Sequence, residues 1–176
     1  VLVCAKHHDL IPVMREMFAS SHPENVYRAL VRDVHDQWTQ GARATLTMPL
    51  GLIPSERLDL RMGPGALPCT THVEVLGTQP HPWGPLKDLR VQIETGRQHQ
   101  LRVHLQHMGH PIVGDARYGD PERNDWHAKR GLKRLFLHAQ SIAFDFGDGN
   151  ERLFTAPLPD ALNTYAQRLF RSGGKR

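Results

Sequence analysis

Cysteine is scarce. Cys4 and Cys69 are the only two in 176 residues, and they form no CxxC pair. Neither a disulfide scaffold nor a cysteine-based zinc site therefore organises the chain. Such usage suits a reducing compartment, and a cytoplasmic location is expected. No run of 18 or more apolar residues occurs, which excludes a membrane-spanning helix. Val1–Ala5 is apolar but too short for a signal peptide, and it runs straight into Lys6-His7-His8-Asp9. Low-complexity tracts are lacking and hydrophobic residues make up 39%, so a folded chain is expected. Charge of neither sign dominates: 22 Lys+Arg stand against 18 Asp+Glu, a net +4. That balance permits an acidic partner such as RNA without demanding one. An initiator methionine is also missing, and a chain that opens on strand-like residues leads us to expect further sequence upstream.

What is present fits one domain over 1–176, with roughly 70% of the unfolded surface buried. Val1–Ala5 reads as a buried strand. Asp9 is placed to cap a helix over Leu10–Ala19, where Ile11, Met14 and Phe18 recur at helical spacing and Pro12 falls in the tolerant first turn. Val26–Val34 alternates as a two-sided strand, and Ala42–Met48 is a second one. Gly51–Pro68 reads as an exposed loop or hairpin. Thr70–Leu76 and Leu86–Ile93 form an antiparallel pair, Gln98–Met108 is a helix, and Leu135–Phe146 with Glu151–Phe154 makes a hairpin across Gly147-Asp148-Gly149-Asn150. A last helix covers Pro159–Phe170. Strands outnumber helices and short loops join them, so the class is α+β: a largely antiparallel mixed sheet with flanking helices.

The most informative stretch is Glu94–Leu105, ETGRQHQLRVHL. Thr95 followed by Gln98 has capping-box spacing, and Leu101, His104, Leu105 and Met108 share one helical face. Arg102 lies beside that face in the second turn, where a long cation reaches either a pocket or only solvent. Tyr27 likewise reads from residues alone as a core tyrosine. Two other features carry rival meanings. His104, His107 and His110 recur every three residues among 12 histidines, as a metal-dependent hydrolase would want, but no HExxH base accompanies them. Arg123, Lys129, Arg130, Lys133 and Arg134, with Trp126 among them, read as a solvated loop or as the RNA-facing loop of a non-catalytic RNA-binding fragment.

The run ETGRQHQLRVHLQHMGHPIVGDARYG closely resembles the signature of the RluA-type pseudouridine synthases: TGR, HQ, R-V-H, GHP, GD and YG in order. Arg134-Leu135-Phe136-Leu137-His138-Ala139 matches the family's next block, Val26–Val31 its tyrosine motif, and Thr155-Ala156-Pro157 its last one. The spacing across 119–136 is closest to the RluC-like subgroup, which acts on large-subunit ribosomal RNA. The resemblance implies isomerisation of uridine to pseudouridine in RNA, ribosomal rather than transfer RNA being favoured. It implies no cofactor and no metal. Nothing in the sequence demands a partner chain, so a monomer is expected, away from membranes. Arg102 would be the cation paired with the catalytic aspartate, and Tyr27 would pack on the flipped base and assist proton transfer. Leu137 or Leu135 would supply the apolar floor, and Arg97 would hold structure or a phosphate. The family's nucleophile belongs to an H-R-L-D-x-x-T-S-G block just before the aliphatic strand and A-K seen here as Val1–Lys6. No aspartate of this sequence matches it. Asp115 and Asp120 read as turn caps beside Gly114 and Gly119. The 176 residues alone are therefore expected to be inactive. Leu67 stands where the family places a lysine, which puts one auxiliary contact in doubt.

Overall fold

A computed structural model describes residues 1–20, 23–52, 58–60 and 65–171. Helix α1, Leu10–Ser20, turns Ile11, Met14 and Phe18 inward, and the Phe18 ring lies 5.2 Å from that of Phe144. The helix carries Pro12 in its first turn, where no intrahelical N–H bond is lost. Eight strands follow: β1 Glu24–Arg32, β2 Arg43–Leu46, β3 Leu50–Leu52, β4 Leu58–Leu60, β5 Thr71–Gln79, β6 Leu86–Ile93, β7 Leu137–Asp145 and β8 Glu151–Thr155. Six of them make one sheet in the order β2-β5-β6-β1-β7-β8, and every ladder in it is antiparallel. β3 and β4 pair as a separate hairpin within the Gly51–Pro68 segment. Its Glu56, Arg57 and Arg61 lie outside the described residues.

Three more helices occur among the described residues: α2 Gln100–His107, α3 Pro121–Lys129 and α4 Asp160–Arg171. Alternation along the strands splits the core into two layers. Ala29, Val31, Leu89, Val91 and Ile93 pack with Leu101 and Leu105 of α2 on one face. Leu30 and Leu86 pack with Leu162 and Tyr165 of α4 on the other. A buried polar node closes one end of the first layer. There the Lys87 ammonium sits 3.7 Å from Asp33 and 3.2 Å from Asp36, and His110, stacked on Trp38, reaches Asp33 at 3.3 Å.

Three sequence expectations fail. Val1–Ala5 forms no strand; its Val1 amino group donates to the Ala139 carbonyl. β7 is already flanked by β1 and β8, so no continuous edge is open to a further strand there. The basic segment after Gly119, expected as a loop, is α3. Asp120 is extended (φ −94°, ψ 118°), its side chain accepts from the Glu122 and Arg123 amides, and Pro121 fills the first helical position. The Thr95–Gln98 capping box does not form either. α2 starts at Gln100 behind His99, which holds a left-handed φ of 56° and offers no side-chain cap.

Candidate active site

The start of α2 is held by a buried amide rather than by a cap. The Gln100 Oε1 accepts from the Thr95 hydroxyl at 2.8 Å and the Arg97 amide at 3.1 Å. Its Nε2 donates to the Thr70 carbonyl at 2.9 Å and to the Thr71 hydroxyl at 3.0 Å. With Gln100 only 2% exposed, such full satisfaction is what makes its burial tolerable. The Thr71 hydroxyl continues to His104 Nδ1 at 3.1 Å, and His104 Nε2 meets the Met48 carbonyl at 2.8 Å. That pair of partners defines a neutral Nε2–H tautomer, and burial holds the His104 pKa below its ordinary value. Both nitrogens being engaged, His104 shares no ligand set with His107 and His110. No group of three His, Cys, Asp or Glu able to hold a metal ion occurs among the described residues.

With α2 fixed against β5 in this way, its first turn overhangs a pocket of about 210 Å³. The pocket is lined by Tyr27 of β1, Ile93 of β6, Leu137 of β7, and Arg97, His99, Gln100, Leu101 and Arg102. Four residues singled out from sequence, Arg102, Tyr27, Leu137 and Arg97, thus meet at one concavity although they span 110 positions of chain (137 − 27). Leu135 does not line it. Strand β7 begins at Leu137, and Leu135, before the strand, packs against the core layer beneath α2. The apolar side of the pocket is therefore Leu137, Ile93 and Leu101. Burial raises the Tyr27 pKa, so its phenol stays protonated and available as a donor.

Arg102 is not without a partner. Its Nε donates to Asp115 Oδ2 and its Nη2 to Asp115 Oδ1, both at 2.7 Å, a bidentate fork. Oδ1 also accepts the amides of Arg117 at 2.9 Å and Tyr118 at 3.0 Å, so Asp115 caps its turn as the sequence suggests and holds the pocket arginine as well. Asp115 is 1% exposed. Burial works against its ionisation, but the Arg102 guanidinium and the two amides outweigh that, and the carboxyl lies below the ordinary range. Those same bonds raise the Arg102 pKa. Tyr118 completes the frame: its ring lies 4.8 Å below the guanidinium carbon, and its hydroxyl meets His99 Nδ1 at 2.9 Å. His99 is kept neutral by burial and by the charges of Arg102 and Arg117. Asp120 caps α3 and lies apart from the pocket.

Asp115, His99 and Tyr118 were not assigned to the site from sequence. The left-handed conformation at His99, a non-glycine residue, is legible only in the backbone. A larger hollow of about 380 Å³ lies over β2, β5 and β6. It is a solvated sheet face whose charges already pair with one another: Arg43 with Glu74 at 3.0 Å, His72 with Glu94 at 2.7 Å, and Arg90 with Glu24 at 3.2 Å. The smaller pocket combines an apolar side with a restrained cation.

Residues 1–107 match the family described as RNA pseudouridylate synthase. An uncharacterized RNA pseudouridine synthase of Chloroflexus aurantiacus is 36% identical over 170 residues, covering 96% of this chain and 49% of the relative. The ribosomal large subunit pseudouridine synthase C of Escherichia coli strain K12 is 34% identical over 172 residues, covering 96% of this chain and 52% of its own length. The chain thus spans about half the length of the curated relatives it matches. Among solved structures, Human RNA Pseudouridylate Synthase Domain Containing 1 superposes with a TM-score of 0.71 at 25% identity. The superposition covers 92% of this chain and 66% of that one. No helix among the described residues is long and apolar enough to cross a membrane.

Proposed function

Because this chain belongs to the RNA pseudouridylate synthase family, we propose that it forms the pocket-bearing part of an enzyme that isomerises uridine to pseudouridine in RNA, with large-subunit ribosomal RNA as the favoured substrate. The observation that carries the proposal is the convergence of Arg102, Tyr27, Leu137 and Arg97 on one pocket. The reaction breaks the bond from the sugar to N1 of uracil, turns the base, and joins the sugar to C5. Redox state and atom count are unchanged, so no cofactor is called for. A uridine in structured RNA is first flipped out of its stack, which costs a few kcal/mol. The pocket's volume suits one flat base, with Leu137, Ile93 and Leu101 against its face and Arg97 at the rim for a phosphate.

Arg102 has a double task in this scheme. Asp115 takes its Nε and Nη2, and its Nη1 donates to none of the described residues. A guanidinium has five N–H donors, so an edge remains for the carboxylate that attacks the anomeric carbon and must stay ionised. Tyr27, protonated and beside the base, would relay the proton from C5 to N1, giving up its own O–H proton as it takes the new one. The attacking carboxylate matches no aspartate of the 176 residues, so on their own they bind RNA without turnover.

Pseudouridine formation in a large-subunit ribosomal RNA transcript tests this. Two proteins are compared: the 176-residue chain, and the same chain extended at its N-terminus by an H-R-L-D-x-x-T-S-G block. The extended protein converts uridine, its Arg102→Ala variant loses conversion while keeping RNA affinity within a few-fold, and the unextended chain is inert. An inert extended protein refutes the isomerase assignment, and turnover by the unextended chain refutes the assignment of the nucleophile.

A further inference from the structure

The Asn124 side chain ties helix α3 to the turn that carries Asp115, the partner of the pocket's Arg102. Asn124 Oδ1 accepts the Gly114 amide at 2.9 Å, and Asn124 Nδ2 donates to the Asp115 carbonyl at 2.8 Å. That carbonyl also accepts the Gly119 amide at 2.9 Å. The turn from Gly114 to Gly119 is thereby closed on itself and tied to α3 at two successive residues, through the peptide units on either side of the Gly114–Asp115 bond. Both glycines are required by the fit. A Cβ on Gly114, whose φ is 79°, would fall 2.3 Å from the Arg134 carbonyl oxygen, and one on Gly119 would fall 2.5 Å from the Asp115 oxygen and 3.0 Å from Asn124 Nδ2.

The rest of α3 is anchored away from the pocket. His127 Nδ1 meets the Tyr165 hydroxyl of α4 at 2.6 Å, and Trp126 packs edge-on to Trp83 at 5.3 Å. The helix is therefore a fixed post, and Asn124 is the arm between it and the turn. Since the Asp115 carboxylate supplies both acceptors of the Arg102 fork, a shift of the Asp115 backbone moves the fork with it.

We infer that Asn124 is a positioning residue: by clamping the Gly114 and Asp115 peptides to α3, it sets where Asp115 holds the Arg102 guanidinium over the pocket. The catalytic consequence rests on the function proposed above, whereas the clamp itself does not. A side-chain amide suits both tasks, since it offers one acceptor and one donor in a plane. Aspartate keeps the acceptor but turns a second oxygen towards a carbonyl; alanine keeps neither.

The test reads Arg102 directly. In the 176-residue chain, exchange of the Arg102 Nε–H with water is followed by NMR in the wild type, Asn124→Ala, Asn124→Asp and, as a control at an exposed site of the same helix, Asp125→Ala. Loss of the clamp is expected to raise exchange roughly tenfold in Asn124→Ala, about the effect of removing one net hydrogen bond of order 1 kcal/mol or slightly more. Asn124→Asp, which retains one of the two bonds, falls between, and Asp125→Ala matches the wild type. Arg102 exchange unchanged in both Asn124 variants overturns the inference, as does equal acceleration in Asp125→Ala, which would mean that general loosening of α3 suffices. Should Asn124→Ala not fold, Asn124→Asp against Asp125→Ala decides alone. In the extended, active protein the clamp predicts a lower kcat at unchanged KM for RNA and an acid limb of the pH–rate profile moved to higher pH. Asn124→Ala would add nothing further in an Asp115→Asn background. An inert wild type in that assay refutes the isomerase assignment and leaves the exchange result standing.

Discussion

Asp115 offers two substitutions whose costs the hydrogen-bond geometry separates. Among the described residues, Oδ1 accepts three donors, Arg102 Nη2 and the Arg117 and Tyr118 amides, whereas Oδ2 accepts Arg102 Nε. Asparagine at this position can keep all three bonds to Oδ1, but it sets an NH₂ against the Arg102 Nε–H. One charge-assisted bond is lost and two donors face each other, so Asp115→Asn should cost about 2–3 kcal/mol. Asp115→Ala removes every acceptor and leaves Arg102, 19% exposed, without its counter-charge. Removing one partner of a buried pair typically costs 3–5 kcal/mol, and the lost turn cap adds to it, so about 4–5 kcal/mol is expected. Urea unfolding followed by tryptophan fluorescence measures both, and a double-mutant cycle with Arg102→Met should return a coupling of about 2–3 kcal/mol. The pH dependence gives an independent check. The Asp115 carboxyl is held below its ordinary value in the fold, so its contribution is fully present above the unfolded carboxyl pKa and is lost as pH falls through the folded one. The acid-side slope of stability should therefore flatten in Asp115→Asn. A cost under about 1 kcal/mol for Asp115→Ala, or a coupling near zero, would refute the reasoning, because a formed bidentate pair at a 1% exposed carboxylate cannot be that weak.

Two further outcomes follow from other groups. Tyr27→Phe in the extended protein should fold with wild-type stability within about 1 kcal/mol, since only a hydroxyl is removed from a half-buried ring, yet stall or slow isomerisation; wild-type kinetics would reduce Tyr27 to packing. His127 is pushed down to about 4 by burial and neighbouring charge. Its neutral form is the folded one, so its contribution is complete above pH 6.5 and drains away as pH falls towards 4, an effect of about 3 kcal/mol at most. His127→Phe should remove much of that slope in unfolding measurements made between pH 6.5 and 4, and an unchanged slope would count against the assignment.

The parts of the fold written in short-range pattern were legible. The alternation of β1, the paired β5 and β6, and the apolar face of α2 all stand where periodicity placed them, within a residue or two at the ends except that β5 runs three residues further, to Gln79. α3 was missed because its sequence, PERNDWHAK, buries only His127 and so shows no apolar stripe. Its Asp-Pro start, however, is a helix signal that could have been weighed above the basic charge. Thr95 and Gln98 misled for the opposite reason: the spacing was right, but Gln100, two positions on, took the hydroxyl and amide that a capping box would have used. Arg102 was found through its motif, whereas its partner was not. Asp115 lies 13 residues further along and beyond the helix end, and only the fold of the intervening turn brings the two together. No residue pattern announces a contact of that kind.

The bulge in the β1–β7 ladder bears on how this family member tolerates change. Val26 faces Ser141 but Tyr27 faces Ala139, so one residue of β7 is skipped between them. Past that point β1 is gripped on both flanks, by β6 and by β7, in unbroken register through Ala29. Side chains alternate between faces, so one residue inserted between Tyr27 and Arg28, with the register beyond it kept, would turn Tyr27 out of the pocket to the side covered by α4. Upstream of Val26 the same length change meets a ladder already broken once, where a shifted register can end. A length change should therefore be better tolerated ahead of the bulge, where the β6 ladder alone must absorb it, than within Tyr27–Ala29, which admits substitution but not a change in number.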